Sequence, residues 1–126
     1  MIVGLGIDVA SVERMAQSLE RFGERFWERI LTPHERADLA KRKDRAIALA
    51  GRFAAKEAAS KALGGPKDVW WQDVEVQKDA SGAPSLHFYR KALPYLERLG
   101  SPRALLSITH DAGVAAAVVI LETRGR

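Results

Sequence analysis

Glu57 and Lys61 stand four residues apart in the run Ala54-Ala55-Lys56-Glu57-Ala58-Ala59-Ser60-Lys61-Ala62. Four residues is just over one helical turn, so a carboxylate and an ammonium share one face. Phe53, four before Glu57, lies on the same stripe. The surrounding alanines leave the helix backbone open to close approach, as a metal-bound, phosphate-bearing ligand requires. The same spacing is also an ordinary helix-stabilising pair worth ~0.2–0.5 kcal/mol, so the pair needs support from elsewhere in the chain. Asp8 supplies it. In Gly4-Leu5-Gly6-Ile7-Asp8-Val9 an aspartate shares a strand face with two glycines, although Asp is depleted in strands and strand glycines leave room for a ligand or another backbone. Two carboxylates from different elements suit Mg²⁺, which keeps waters and binds through one or two carboxylates plus substrate phosphates. With Lys61 to neutralise a phosphate, Asp8, Glu57 and Lys61 make a candidate phosphoryl-transfer site. His110, at the end of a late strand beside Asp111, is a fourth candidate; on its own it reads equally as a turn residue bonded to backbone.

The elements that must position these groups are legible in outline. Ile2 to Val9 reads as a strand, with Val3, Leu5, Ile7 and Val9 on one face. Ser11 caps a helix running to about Phe22, with Met15, Leu19 and Phe22 as its apolar stripe. A short helix from about Arg25 to Ile30 follows Gly23. Thr32-Pro33-His34-Glu35 opens a third, with Thr32 as cap, Pro33 in the first turn and Glu35 closing a capping box. Ala46 to Leu63 forms the long helix, stopped by Gly64-Gly65. The period then changes to two. Strands are expected at Trp71 to Val76 and Ser85 to Phe88, around a turn at Lys78 to Gly82. A helix is expected from Arg90 to Leu99, with Pro94 tolerable only in its first turn. A hairpin follows, Leu105 to Thr109 and Val114 to Leu121, around Asp111-Ala112-Gly113. Thr123 to Arg126 reads as a frayed tail. This is an α+β chain: an N-terminal helical half and an antiparallel sheet packed against a long helix.

The 126 residues fit one domain, 1–126. No apolar run approaches the ~20 residues of a membrane span, and no basic segment precedes Ile2 as in a signal peptide. The absence of cysteine excludes disulfides, thiolate chemistry and zinc–cysteine sites and fits the reducing cytoplasm expected here. Twenty Lys and Arg against sixteen Asp and Glu give a net charge of +4, a modest excess that favours an acidic or phosphorylated partner. A basic nucleic-acid-binding module would show a continuous basic stripe interleaved with stacking aromatics. Here acids interrupt the basic residues and the aromatics sit elsewhere, so no nucleic-acid partner is expected.

Three segments carry a resemblance. Gly6-Ile7-Asp8-Val9, Phe53-Ala54-Ala55-Lys56-Glu57-Ala58-Ala59-Ser60-Lys61-Ala62 and Ser107-Ile108-Thr109-His110 are similar, in order, to the three signatures of the 4′-phosphopantetheinyl transferases. Ile30-Leu31-Thr32-Pro33-His34-Glu35 resembles the small bacterial type. The resemblance implies transfer of the phosphopantetheine arm of coenzyme A to a serine of an apo acyl carrier protein, with adenosine 3′,5′-bisphosphate released. The carrier is that of fatty-acid synthesis, or alternatively a polyketide or peptide synthase carrier domain. Asp8 and Glu57 would bind Mg²⁺, Glu57 would help deprotonate the serine, and Lys61 would stabilise the leaving phosphate. Arg52 and His110 correspond to positions that hold the nucleotide end of coenzyme A. Lys43, from the basic run Lys41-Arg42-Lys43, and Arg45 beside it would add charge near its 3′-phosphate. Gly64 matches the glycine after the signature helix, although Gly65-Pro66-Lys67 departs from the usual continuation. Arg14, Arg21 and Arg25, otherwise a solvated face alternating with Glu, would meet the acidic carrier protein. The small type is a homotrimer with active sites at subunit interfaces, and the alanines of the long helix and of Ala115-Ala116-Ala117 are expected to permit that packing. His34, His87, Trp70 and Trp71 are read as structural.

Overall fold

In the computed structural model, which describes residues 1–124, five strands and five α-helices follow in the order β1 (Ile2–Ser11), α1 (Val12–Phe22), α2 (Glu24–Ile30), α3 (Pro33–Leu39), α4 (Arg45–Ala62), β2 (Val74–Lys78), β3 (Pro84–Phe88), α5 (Leu93–Arg98), β4 (Arg103–Asp111) and β5 (Val114–Glu122). Two 3₁₀ turns, Trp71–Asp73 and Arg90–Ala92, precede β2 and α5. The expected single sheet is two: an antiparallel trio in the order β1-β5-β4, and the separate hairpin β2-β3. The N-terminal strand joins the trio through β5, as expected, with Asp8 opposite Ala117 and Ala117 opposite Ile108.

The long helix lies across this sheet, and the fit is made by small residues on both sides. Ala54, Ala55, Ala58 and Ala59 are fully buried. A Cβ on Gly6 would come 1.8 Å from the Ala58 carbonyl oxygen, and one on Gly4 2.3 Å from that of Ala62. The space beside the β1 glycines is therefore taken by the backbone of α4. The alanine face buries the chain's own sheet and is closed to any ligand or neighbouring subunit. Asp8, on the same face of β1, is thereby drawn up to the last turns of α4.

The opposite face of β1 is turned outward. Leu5, Ile7 and Val9 are about 60% exposed, and Val3 is split from them by a bulge between Ile2 and Gly4, which packs it against the core instead. The core lies on the α4 side of the trio and is extended by α1 to α3: Met15, Trp27, Ile30, Leu31 and Leu39 join Leu49, Val74, Val76, Val119 and Leu121. Phe22 leaves its expected place in the α1 stripe and is exposed.

Local signals fix most boundaries. Ser11 Oγ accepts from the Arg14 amide at 3.1 Å, and the Thr32–Glu35 capping box is formed from both sides. Pro94 sits in the first turn of α5. Ala112 and Gly113 carry φ of 51° and 82°, the paired positive values of a tight type I′ hairpin turn. Gly64 and Gly65, at 96° and 72°, end α4 in the region that favours glycine. Two expectations fail. Trp71 to Asp73 form a 3₁₀ turn rather than the start of β2, because Lys56 and Asp73 capture backbone groups of Trp71 and Trp70. Thr123 is paired with Met1, its amide donating to the Met1 carbonyl at 2.8 Å, so the fray does not begin there; Gly125 and Arg126 lie outside the described residues.

Candidate active site

Asp8, Glu57 and Lys61 converge where the edge strand β1 meets the C-terminal half of α4. Lys61 does not pair with Glu57, its neighbour on the helix. Its ammonium donates to Asp8 Oδ1 at 3.1 Å and to the Ile7 carbonyl at 3.0 Å. Burial pushes the Glu57 carboxyl above its ordinary value and the nearby Asp8 charge adds to this, while a side-chain hydrogen bond from Trp71 and the Lys61 charge oppose it. Two carboxylates that repel one another across a strand–helix contact, with a cation already drawn onto one of them, are a donor set that fits a divalent ion. No third histidine or acid joins them among the described residues. Mg²⁺ held there would take its remaining ligands from water and substrate phosphates, which is its usual preference.

Beside Glu57 opens a cleft of about 190 Å³ lined by Ser60, Lys67, Val69, Trp70 and Trp71 among others. Trp71 packs on Phe53 with ring centroids 5.9 Å apart, so it is partly the packing residue expected. Trp70 is 55% exposed and is a wall of the cleft rather than core. On its other side Trp71 borders a groove of about 660 Å³ formed by Arg21, Phe22, Arg25, Phe26 and Arg29. Arg21 and Arg25 are thus in the groove. Arg14 is exposed two turns back on α1 and is not part of its lining. His34 and His87 make local contacts, to Asp38 at 3.4 Å and to Ser85 at 3.0 Å.

Arg52 and His110 meet elsewhere. They line a third cleft, of about 280 Å³, at the β4 edge of the sheet together with Arg42, Lys78, Pro84 and Ile108. Arg52 is 3% exposed and its Nε is buried without a hydrogen-bond partner. Burial lowers its pKa, with carboxylates at Glu35 and Asp38 pulling the other way. The Lys78 ammonium is also pushed down, by burial and then by repulsion from Arg52 and Arg42. Crowded cations with an unpaired buried N–H are a cradle for an anion. The basic run contributes Arg42 rather than the expected Lys43. Arg45 is turned away, bidentate with Glu24 at 2.9 and 3.3 Å and stacked 4.0 Å from the Trp27 ring. Gly64 lies past the other end of α4, so it lines neither this cleft nor the one at Glu57.

The two halves of the expected site are therefore not together in one chain. Glu57, Asp8 and Lys61 occupy the β1 edge, and Arg52 and His110 the β4 edge, two strand spacings apart, or about 10 Å. Sequence reasoning also missed Lys78, Arg42 and the buried pair Lys56–Glu35, whose ammonium and carboxylate meet at 2.6 Å. The signals were thin: a lysine inside an alanine face, and a capping-box glutamate that has a second use.

A small α+β fold with two carboxylates and an ammonium at one sheet edge, and a basic anion cradle at the other, has the equipment of a transferase acting on a phosphate ester. The chain belongs to the 4′-phosphopantetheinyl transferase superfamily, whose sequence profile matches residues 4–119. It is 51% identical to the holo-[acyl-carrier-protein] synthase of Anaeromyxobacter sp. (strain K), over 99% of both chains. Among solved structures it is similar to the holo-[acyl-carrier-protein] synthase of Neisseria meningitidis, with a TM-score of 0.89, 33% identity, and coverage of 98% of this chain and 100% of that one. It also resembles the Helicobacter pylori enzyme solved in complex with coenzyme A, with a TM-score of 0.81, 32% identity, and coverage of 94% and 99%.

Proposed function

We propose that this protein is a holo-[acyl-carrier-protein] synthase. It transfers 4′-phosphopantetheine from coenzyme A to a serine of the apo acyl carrier protein of fatty-acid synthesis, and releases adenosine 3′,5′-bisphosphate. The observation that carries the reading is the convergence of Asp8, Glu57 and Lys61 across β1 and α4. The serine oxygen attacks the phosphorus that bears the pantetheine. A new P–O bond forms there, and the bond to the bridging oxygen breaks and leaves its electrons on the nucleotide phosphate. Glu57 takes the serine proton as general base, directly or through a metal-held water. Lys61 moves its ammonium from Asp8 to the departing phosphate. Asp8 and Glu57 would hold Mg²⁺, which would neutralise charge at the diphosphate. Arg52, with Arg42, Lys78 and His110, takes the phosphorylated nucleotide end, because it brings buried positive charge with a free donor. The carrier protein, acidic on its recognition surface, settles on Arg21 and Arg25 with Arg14 at the margin, where the groove ends on Trp71 and hence at Glu57.

The working form is a homotrimer with its active sites between subunits, in the cytoplasm where both substrates are made. Two observations favour the assembly. The outer face of β1-β5-β4 exposes Leu5, Ile7, Val9 and Leu105 together, too apolar a surface for solvent. The metal-binding and nucleotide-binding halves lie at opposite edges of the same sheet, so a neighbour's edge can complete each of them. The direct test is to mix the protein with apo carrier protein, coenzyme A and Mg²⁺ and to measure the mass of the carrier. A gain of one phosphopantetheine is expected. No gain with carrier proteins of fatty-acid, polyketide or peptide synthesis would defeat the proposal, and gain only on the latter two would move it to those carriers.

A further inference from the structure

Lys56 precedes Glu57 on α4, yet its side chain is 1% exposed. Its ammonium uses its three hydrogens on three segments: Glu35 Oε1 of α3 at 2.6 Å, the Ile30 carbonyl at the end of α2 at 2.7 Å, and the Trp71 carbonyl of the 3₁₀ turn at 2.9 Å. Glu35 is itself fully buried and saturated. Oε1 also accepts from the Thr32 amide at 2.8 Å, and Oε2 accepts from the Val76 amide at 2.7 Å. A buried ion pair adds little net stability over an apolar pair of the same volume, because desolvation cancels much of the attraction. An ammonium does what an apolar side chain does not: it fixes a carbonyl in direction.

The carbonyl it fixes belongs to the residue that lines both the Glu57 cleft and the arginine groove. The Trp71 ring is held on Phe53 and under Arg29, 5.7 Å from its guanidinium, and it shares the wall of one cleft with Glu57. We propose that Lys56 and Trp71 are positioning residues for the Glu57 carboxylate. Lys56 clamps the 3₁₀ turn from inside the core, and the clamped turn aims the Trp71 indole N–H at Glu57, holding the carboxylate in the orientation that faces Asp8. The proposal rests on the functional reading above, and specifically on Glu57 as a metal ligand.

The test is direct Mn²⁺ binding, followed by electron paramagnetic resonance of the free ion with saturating coenzyme A and no carrier protein. Trp71→Phe keeps an aromatic ring on Phe53 and removes only the N–H. It is expected to weaken Mn²⁺ binding about three- to tenfold, the worth of one hydrogen bond. It should lower kcat by a similar factor. Lys56→Met with Glu35→Leu removes both buried charges at once and should show the same weakening with cooperative unfolding retained; if the double variant does not fold, the Trp71→Phe arm decides alone. Mn²⁺ affinity in Trp71→Phe equal to wild type would overturn the positioning role, while loss of Mn²⁺ binding in Glu57→Gln would show the functional reading intact. Wild type that neither binds Mn²⁺ nor modifies a carrier protein would overturn both.

Discussion

At the residue scale, the chemistry turns on charges held where they are not comfortable. Glu57 is the clearest case. Its carboxyl is raised by burial and by Asp8, so the native state holds its proton more tightly than the unfolded chain does. The fold therefore loses stability as pH rises from the ordinary value of 4.5 through the raised one, and the cost persists at neutral pH. Glu57→Gln removes that cost. It should melt higher than wild type at pH 7 without metal, with the difference vanishing below about pH 4, while transfer activity falls about 10²–10⁴-fold. Thermal melts across pH, paired with the carrier-mass assay, check both halves. Glu75 has the opposite sign. Burial works against its charge, but hydrogen bonds from Thr32, Gln77 and Tyr89 outweigh it and hold the carboxyl below its ordinary 4.5. The stability it adds is present above that value and disappears as pH falls through the lowered one. Tyr89→Phe deletes the 3.2 Å bond to Glu75 Oε1. It should cost about 1 kcal/mol in urea unfolding at pH 7, and progressively less as pH falls through the lowered value.

At the element scale, the contact that sets the site is glycine against alanine. The β1 strand approaches α4 so closely that the Ala58 carbonyl occupies the place of a Gly6 side chain. Helix backbone cannot give way as a flexible side chain would. Gly6→Ala should therefore cost at least about 3 kcal/mol, at or beyond the upper end of overpacking changes, and should pull Asp8 away from Glu57 even where the chain still folds. Chemical denaturation gives the first quantity and Mn²⁺ affinity reports the second. Retained stability in Gly6→Ala would mean that β1 does not lie on α4 as described. The elements themselves were largely legible, because their signals are local: Ser11 and Thr32 as caps, Gly64-Gly65 as a stop, Ala112-Gly113 as a tight turn. The glycines of β1 left room for a ligand or another backbone, and the structure shows which: the α4 backbone lies there, because only glycine lets the two backbones come that near.

At the scale of the whole molecule, the candidate metal-binding groups and the candidate anion cradle lie at opposite edges of a three-stranded sheet whose outer face is apolar. In the proposed closed ring of identical subunits, a neighbour's edge would complete each of them. Subunit mixing tests this. Glu57→Gln and Arg52→Met, each inactive alone, should regain activity when unfolded and refolded together, in about one site in four if chains pair at random. No recovery would mean that both halves of a site come from one chain. Ile7→Glu, whose side chain lies on the apolar face of β1, should yield a smaller species in light scattering, with folded far-ultraviolet dichroism and little transfer activity.

The sequence by itself determined the order of elements, their caps and turns, and the choice of candidate reacting groups, because each of these depends on residues close in the chain or on chemical type alone. Asp8, Glu57 and Lys61 could be chosen that way. Their arrangement could not. That Lys61 bonds Asp8 rather than its helical neighbour Glu57, that Arg52 and His110 collect Arg42 and Lys78 instead of Lys43 and Arg45, and that Lys56 is locked in the core on Glu35 all depend on which segments distant in sequence come to share one small volume. Long-range packing decides that, and its controlling term here is steric: two glycines let β1 rest on α4, and the rest of the site takes its positions from that contact.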